Sequence, residues 1–125
     1  MDPTGKQVLV IATTGPEETE RCTAPFFFAR AAALKGAQTS ICFIMQSAKL
    51  LKKGVAETLY AKEDGQPLSE FIQLARKAGV DFYVCDAALK ACDMTPEDLI
   101  EEVENLVGPA FLITHGLDAD LVLNF

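Results

Sequence analysis

The sequence predicts an α/β protein: a three-layer α/β/α domain with a mostly parallel sheet of about five strands, a flavodoxin-like architecture. Two features of the 125 residues predict it. Short, continuously apolar stretches rich in β-branched residues are typical of strands that are covered on both faces. They alternate with helix-forming stretches, and this alternation favours parallel strands joined by right-handed crossovers. A chain of this length is expected to form a single domain, residues 1–125, around one core.

The first third of the chain predicts two strands and one helix. Residues 7–13 form an apolar strand that ends in a turn sequence. A helix is predicted over residues 26–34, with Thr23 as its N-cap and Gly36 as its stop. The second strand is predicted over residues 39–45.

The middle of the chain predicts a short helix, a surface excursion, an amphipathic helix and a third strand. The short helix covers residues 47–53, and the excursion covers residues 55–66. Apolar residues at i, i+3, i+4 and i+7 mark the buried face of the next helix. These residues are Leu68, Phe71, Ile72 and Ala75. The third strand is predicted over residues 80–84.

The last third of the chain predicts a helix, an ambiguous segment and a final strand. Thr95, followed by proline and two acidic residues, is typical of a helix start. The buried face of that helix is expected to carry Leu99, Ile100, Val103, Leu106 and Val107. Residues 109–116 fit a short buried helix or a strand, because periodicity does not separate the two at this length. Residues 121–125 form the last strand.

The charge balance and hydropathy exclude several classes of protein. There are 11 basic and 18 acidic residues, so the net charge is −7 and nucleic acid is a poor partner. The one local basic cluster, Lys49, Lys52 and Lys53, is either a solvated helix face or a docking patch for an acidic partner or anionic substrate. No apolar run approaches the ~20 residues of a membrane-spanning helix. The polar start of the chain carries no signal-peptide hydrophobic region, so we expect a cytoplasmic protein without an integral membrane segment.

The strongest candidate for chemistry is Cys85, which lies between a predicted strand and a helix-forming run. A helix start favours a thiolate, although the neighbouring carboxylate of Asp86 opposes it. Ligands of parallel sheets bind beyond the carboxyl ends of the strands. The predicted pocket therefore combines Cys85 with residues of the loops after the first three strands: Thr14, Gly15, Met45, Gln46 and Asp86.

The remaining cysteines and the single histidine are weaker candidates. Cys42 is expected in the core, and Cys92, too far along the helix to bridge Cys85, is expected to pack. Cys22 is either a resolving thiol for Cys85 or a surface residue at a helix start. His115 is interpreted as structural, and no spacing of histidines and cysteines indicates a metal site. Neither GxGxxG nor GxxxxGK occurs, so no phosphate-binding loop is predicted.

Residues 82–94, FYVCDAALKACDM, resemble the central motif of the DsrE/DsrF-like (YchN-like) sulfur-relay family. The resemblance extends to TTGP at 13–16, PF at 25–26, KG at 53–54 and ADLVLNF at 119–125. It implies that Cys85 is the reactive cysteine, that the chain forms trimers or hexamers, and that residues 109–116 are helical. This sequence departs from the family pattern at Asp93, where glycine is common, and at Cys92, where a larger apolar residue is usual.

These observations predict a sulfur carrier that binds persulfide sulfur on Cys85 and passes it between donor and acceptor proteins, without a metal or organic cofactor. Two alternatives remain open. The chain could be a non-catalytic subunit or small-ligand binding module with an inert Cys85. It could also be a peroxide reductase whose resolving thiol is Cys22 or comes from a second subunit. Three consecutive phenylalanines, residues 26–28, cannot all face one core, which favours a homo-oligomer.

Overall fold

A five-stranded, fully parallel sheet organises the protein. The structure is a computed structural model that describes residues 2–125. In this range the strands are β1 (Gln7–Ala12), β2 (Gln38–Phe43), β3 (Asp81–Cys85), β4 (Val103–Val107) and β5 (Leu121–Asn124). Their order across the sheet is β4-β3-β2-β1-β5. The predicted α/β fold with about five parallel strands is confirmed.

Helices cover the two faces of the sheet unequally. The α-helices are α1 (Thr19–Cys22), α2 (Ala24–Leu34), α3 (Leu68–Lys77), α4 (Asp86–Ala91) and α5 (Pro109–Asp118), and 3₁₀ helices cover Met45–Leu51, Ala56–Thr58 and Pro96–Asp98. The chain steps from β1 to β4 in one direction, so right-handed crossovers place α2 and α3 together on one face. The return from β4 to β5 places α5 on the other face.

The core lies between the sheet and the α2 and α3 layer. Phe26 of α2, Phe43 of β2 and Phe82 of β3 are at most 1% exposed. Their ring centroids are 5.5–5.7 Å apart, within the range of favourable aromatic pairs. This cluster fixes α2 across the middle of the sheet and thereby holds β2 and β3 in register.

The predicted helix after Thr95 is wrong. The start was identified correctly, because the Asp98 carboxylate accepts a 2.8 Å hydrogen bond from the Thr95 N–H. However, the turn ends after Asp98, whose carbonyl accepts from the Lys53 N–H at 2.8 Å, and the Ile100 N–H donates to the Leu51 carbonyl. With these backbone groups engaged elsewhere, the helix cannot continue. The valine-containing segment Val103–Val107 pairs with β3 instead, so that tertiary pairing overrides the helical pattern.

The other elements differ from the predictions only in detail. The ambiguous segment is helix α5, as the family resemblance implied. Strand β3 continues to Cys85, and strand β2 ends at Phe43, two residues earlier than predicted. Thr23 is the N-cap residue of α2, but its side chain makes no capping hydrogen bond.

Candidate functional site

Cys85 is both the last residue of β3 and the N-cap residue of α4. Its backbone is extended, with φ −69° and ψ 125°, and its side chain does not cap the helix. The residue is half-buried, whereas Cys22 and Cys42 are buried. The thiol therefore lies at the carboxyl edge of the sheet, next to the free N–H groups of a short helix and open to solvent on one side.

The loops that follow β1 and β2 are packed tightly against each other at this edge. A methyl group on Gly15 would lie 2.6 Å from the Gln46 carbonyl oxygen and 2.7 Å from the Glu17 carboxylate. The Gly15 N–H donates to that carboxylate at 3.1 Å. Only glycine fits such a contact, so the absence of a side chain at residue 15 sets how closely the loops approach.

The loop after β2 also contacts helix α4. Met45, 61% exposed, has a φ of 55°, a left-handed conformation that is costly for a residue with a side chain. The Met45 carbonyl oxygen lies 3.5 Å from the Cys92 Sγ, which donates to it. The loops after β1 and β2 therefore contact each other, and the loop after β2 reaches Cys92 at the carboxyl end of α4. Of the other predicted pocket residues, Thr14 is half-buried and Asp86 is exposed.

Cys22 lies in the core. It is 1% exposed, and its Sγ donates to the Thr19 carbonyl oxygen at 3.2 Å. Burial raises the pKa of the Cys22 thiol. A raised pKa and an inaccessible sulfur both disfavour nucleophilic attack. These surroundings give no support to a role of Cys22 as a resolving thiol. The alternative prediction, a surface residue at a helix start, is wrong because the residue is buried.

Cys42 is fully buried, as predicted for a core residue. The pKa of the Cys42 thiol is raised to about 11, mainly by burial and to a smaller extent by the charge of Cys85. Cys42 lies opposite Tyr83 in the parallel ladder, and Cys85 is two residues beyond Tyr83 on the same face. Cys42 is therefore a protonated neighbour of Cys85 that is unsuited to attack it at neutral pH.

His115 forms a polar contact that the sequence did not reveal. Its Nε2 lies 2.9 Å from the Ser40 Oγ, and its ring stacks on Phe111. Ser40, 4% exposed, is on the face of β2 that α5 covers. The histidine thus links α5 to the sheet, which agrees with the structural role predicted for it. The hydroxyl of Ser40 within a strand predicted to be buried was the signal that could have indicated a polar partner.

A cavity lies near His115, at the amino-terminal end of the strands and away from Cys85. Its volume is about 330 Å³. Its lining is mostly polar: Gln7, Gln38, Thr39, Ser40, Gly79, Asp81, Tyr83 and His115. Burial, together with the neighbouring acids Asp81 and Glu104, raises the pKa of Tyr83. This cavity was not predicted from the sequence.

The basic cluster lies beside an acidic residue. Lys52 and Lys53 are exposed and Lys49 is half-buried. The pKa of Asp98 is lowered, mainly by the hydrogen bond from the Thr95 N–H and to a smaller extent by Lys52 and Lys53. Part of the cluster's charge is therefore balanced within the chain.

Among residues 2–125, no group of three or more histidine, cysteine or acidic side chains is arranged to hold a metal ion. In the same range, no helix has the length and apolar character needed to cross a bilayer.

Comparison with known proteins identifies the family. Among solved structures, YchN from E. coli superposes with a TM-score of 0.79 at 16% identity, covering 96% of this chain and 99% of YchN. MTH1491 from Methanobacterium thermoautotrophicum, a protein of unknown function, superposes with a TM-score of 0.68 at 15% identity. The superposition covers 97% of this chain and 99% of the MTH1491 chain. A comparison with curated protein sequences found no match. The sequence model of the DsrE/DsrF-like family matches residues 6–125, and the chain belongs to that family.

Proposed function

We propose that the protein is a sulfur carrier that holds sulfane sulfur on Cys85 as a persulfide and transfers it to a partner thiol. The observation that carries the proposal is the position of Cys85 at the end of β3 and the start of α4, half-buried at the open edge of the sheet. Cys22 and Cys42 are buried with raised pKa values, which makes them poor competitors. Membership of the DsrE/DsrF-like family supports the same role.

The transfer consists of two thiol exchanges. The Cys85 thiolate attacks the outer sulfur of a donor persulfide, so a new S–S bond forms and the donor leaves as a thiolate. An acceptor thiolate then attacks the outer sulfur of the Cys85 persulfide, and Cys85 leaves as a thiolate. Neither step needs an external oxidant or reductant, because each exchanges one S–S bond for another. Cys85 is the N-cap residue of α4, so the unpaired N–H groups of the first helical turn begin next to the residue on which negative charge develops.

The setting that we propose is a homo-oligomer, a trimer or hexamer, that works in the cytoplasm with a sulfur donor and an acceptor protein and without a cofactor. Among residues 2–125, ten large hydrophobic residues are exposed, among them Phe27 and Phe28, which supports association. The proposed compartment is supported by the free thiols, because reduced cysteines are typical of cytoplasmic proteins.

Intact-protein mass spectrometry after incubation with inorganic polysulfide tests the proposal. The wild type should gain the mass of one sulfur, and a reductant should remove it. Cys85→Ser should remain folded and gain nothing. Cys92→Ser is the matched control, since Cys92 is the other half-buried cysteine and should leave loading intact. Sulfur that loads on Cys85→Ser, or fails to load on the wild type, would contradict the assignment.

The cavity near His115 favours a second candidate function, the binding of a small polar ligand with Cys85 inert. The cavity of about 330 Å³ is large enough for a small molecule, and its lining offers hydroxyl, amide, imidazole and carboxylate groups. An inert cysteine should react with iodoacetamide only when the protein is unfolded. Fast alkylation of Cys85 in the folded wild type would therefore count against this candidate.

A further inference from the structure

The cavity near His115 is formed by helix α5 and by the first residues of three neighbouring strands. Gln38 and Ser40 are two residues apart on β2, so both lie on the face that α5 covers. Gln7 is the partner of Gln38 in the parallel ladder. Asp81 is the partner of Ser40. These four side chains therefore share one face of the sheet and line a cavity of about 330 Å³ together with His115.

The inner part of the cavity holds fixed polar groups beside aromatic rings. Ser40 is 4% exposed, and its Oγ lies 2.9 Å from the His115 Nε2. A hydroxyl group has one donor and two acceptor sites, so the Ser40 hydroxyl can form a second hydrogen bond with a ligand. The ring centroids of Tyr83 and His115 are 6.2 Å apart, and both residues line the cavity. A few fixed polar groups next to aromatic side chains are typical of ligand sites.

The charges around the cavity favour a cationic ligand. Of the described residues that line it, only Asp81 carries a formal charge at neutral pH. The Arg76 guanidinium lies 3.5 Å from the Asp81 carboxylate. It is closer to two other acceptors, the Glu104 carboxylate at 2.8 Å and the Val80 carbonyl oxygen at 2.6 Å. Burial and the charges of Asp81 and Glu104 raise the pKa of Tyr83, and the opposing effect of the guanidinium is smaller. An anion is therefore repelled from this cavity.

We propose that the cavity binds a small hydroxylated amine in its ammonium form. The ammonium group donates to the Asp81 carboxylate, and the ring face of Tyr83 attracts the same positive charge. The hydroxyl groups of the ligand bond to the Ser40 hydroxyl and to the side-chain amides of Gln7 and Gln38, which both donate and accept. The volume lies at the lower end of the range of ligand sites, which indicates a small molecule.

The amine site and the proposed sulfur site are separate on the chain. Asp81 begins β3 and Cys85 ends it, so the two residues are about 13 Å apart along the strand. The inference names the ligand class of the second candidate function and rests on its cavity, but it does not require an inert cysteine. Binding of an amine and loading of sulfur can therefore be measured independently on one protein.

An NMR titration with two probes of the same shape tests the ligand class. Protonated Tris carries one ammonium group and several hydroxymethyl groups, and pentaerythritol has a further hydroxymethyl group in place of the ammonium. In phosphate buffer at pH 7 and constant ionic strength, Tris should shift the amide signals of Ser40, Asp81 and Tyr83 with a dissociation constant on the order of a millimolar. Pentaerythritol should bind about tenfold more weakly, because it forms no charge-assisted hydrogen bond with the Asp81 carboxylate. Equal affinities would overturn the assignment to an ammonium ligand.

Two charge variants test the position of the ammonium group. The Asp81 side chain is 51% exposed, and its replacement in Asp81→Asn should raise the dissociation constant of Tris about tenfold. Gln38→Glu adds a carboxylate to the lining and should lower that constant, so weaker binding to this variant would contradict the site. Asp64→Asn is the matched control, because it removes the same charge from an exposed residue outside the lining. It should bind Tris like the wild type, and an equal loss in both asparagine variants would overturn the site.

Sulfur loading on the same protein separates the possible failures. If Tris causes no saturable shift of the cavity signals, the amine site is overturned whatever the result of the polysulfide experiment. If Tris binds but polysulfide does not load, only the sulfur-carrier proposal is refuted. Saturable Tris binding together with loading on Cys85 would support both sites on one chain.

Discussion

Replacement of Gly15 by alanine tests whether the loops after β1 and β2 hold the site together. The new methyl group would meet the Gln46 carbonyl oxygen at 2.6 Å and the Gln46 Cβ at 2.9 Å. The Glu17 side chain can move away, but the Gln46 backbone cannot do so without shifting the loop that carries Met45. Overpacking of this kind costs about 1–3 kcal/mol, and we expect a loss near the middle of that range. With a typical urea dependence, the unfolding midpoint should fall by about 1 M.

Urea unfolding followed by circular dichroism, at one fixed protein concentration, measures this loss. Gly116→Ala is the matched control, because the added methyl group would lie 3.7 Å from the Leu9 side chain, an ordinary contact. Alanine is also favoured over glycine inside a helix, so this variant should gain about 0.5–1 kcal/mol. A Gly15→Ala protein as stable as the wild type would show that the two loops do not touch, and would remove the basis for a preformed site.

Two further predictions concern the core and the turn after Thr95. Phe26→Ala should lower the free energy of unfolding by about 3–5 kcal/mol because it empties the centre of the aromatic cluster, whereas exposed Leu34→Ala on the same helix should have little effect in the same urea titration. Asp98→Asn should destabilise the protein at pH 7. Because the Thr95 N–H lowers the pKa of Asp98 in the folded state, this stabilisation is present above the unfolded pKa and is lost as pH falls through the folded one. The difference between wild type and Asp98→Asn should therefore shrink on acidification, and a constant difference would contradict the cause.

The sequence predicted the fold because burial on both faces leaves a strong pattern. The strands that became β1, β2 and β3 contain short apolar runs rich in β-branched and aromatic residues, VLVIA, ICF and FYVC, which are typical of strands buried on both faces. The location of Cys85 followed from the same pattern, because the strand pattern ends and the helical pattern begins at that residue. Both predictions depend on local sequence alone, which is why they could be made without knowledge of the tertiary contacts.

The errors arose where distant parts of the chain decide the local structure. Residues after Thr95 have a helical pattern, but the backbone at Asp98 and Ile100 bonds to residues 51–53, far away in sequence. The partnership of His115 with Ser40 has the same origin, because it depends on the return of α5 across the free face of the sheet. Long-range pairing of this kind leaves little trace in periodicity.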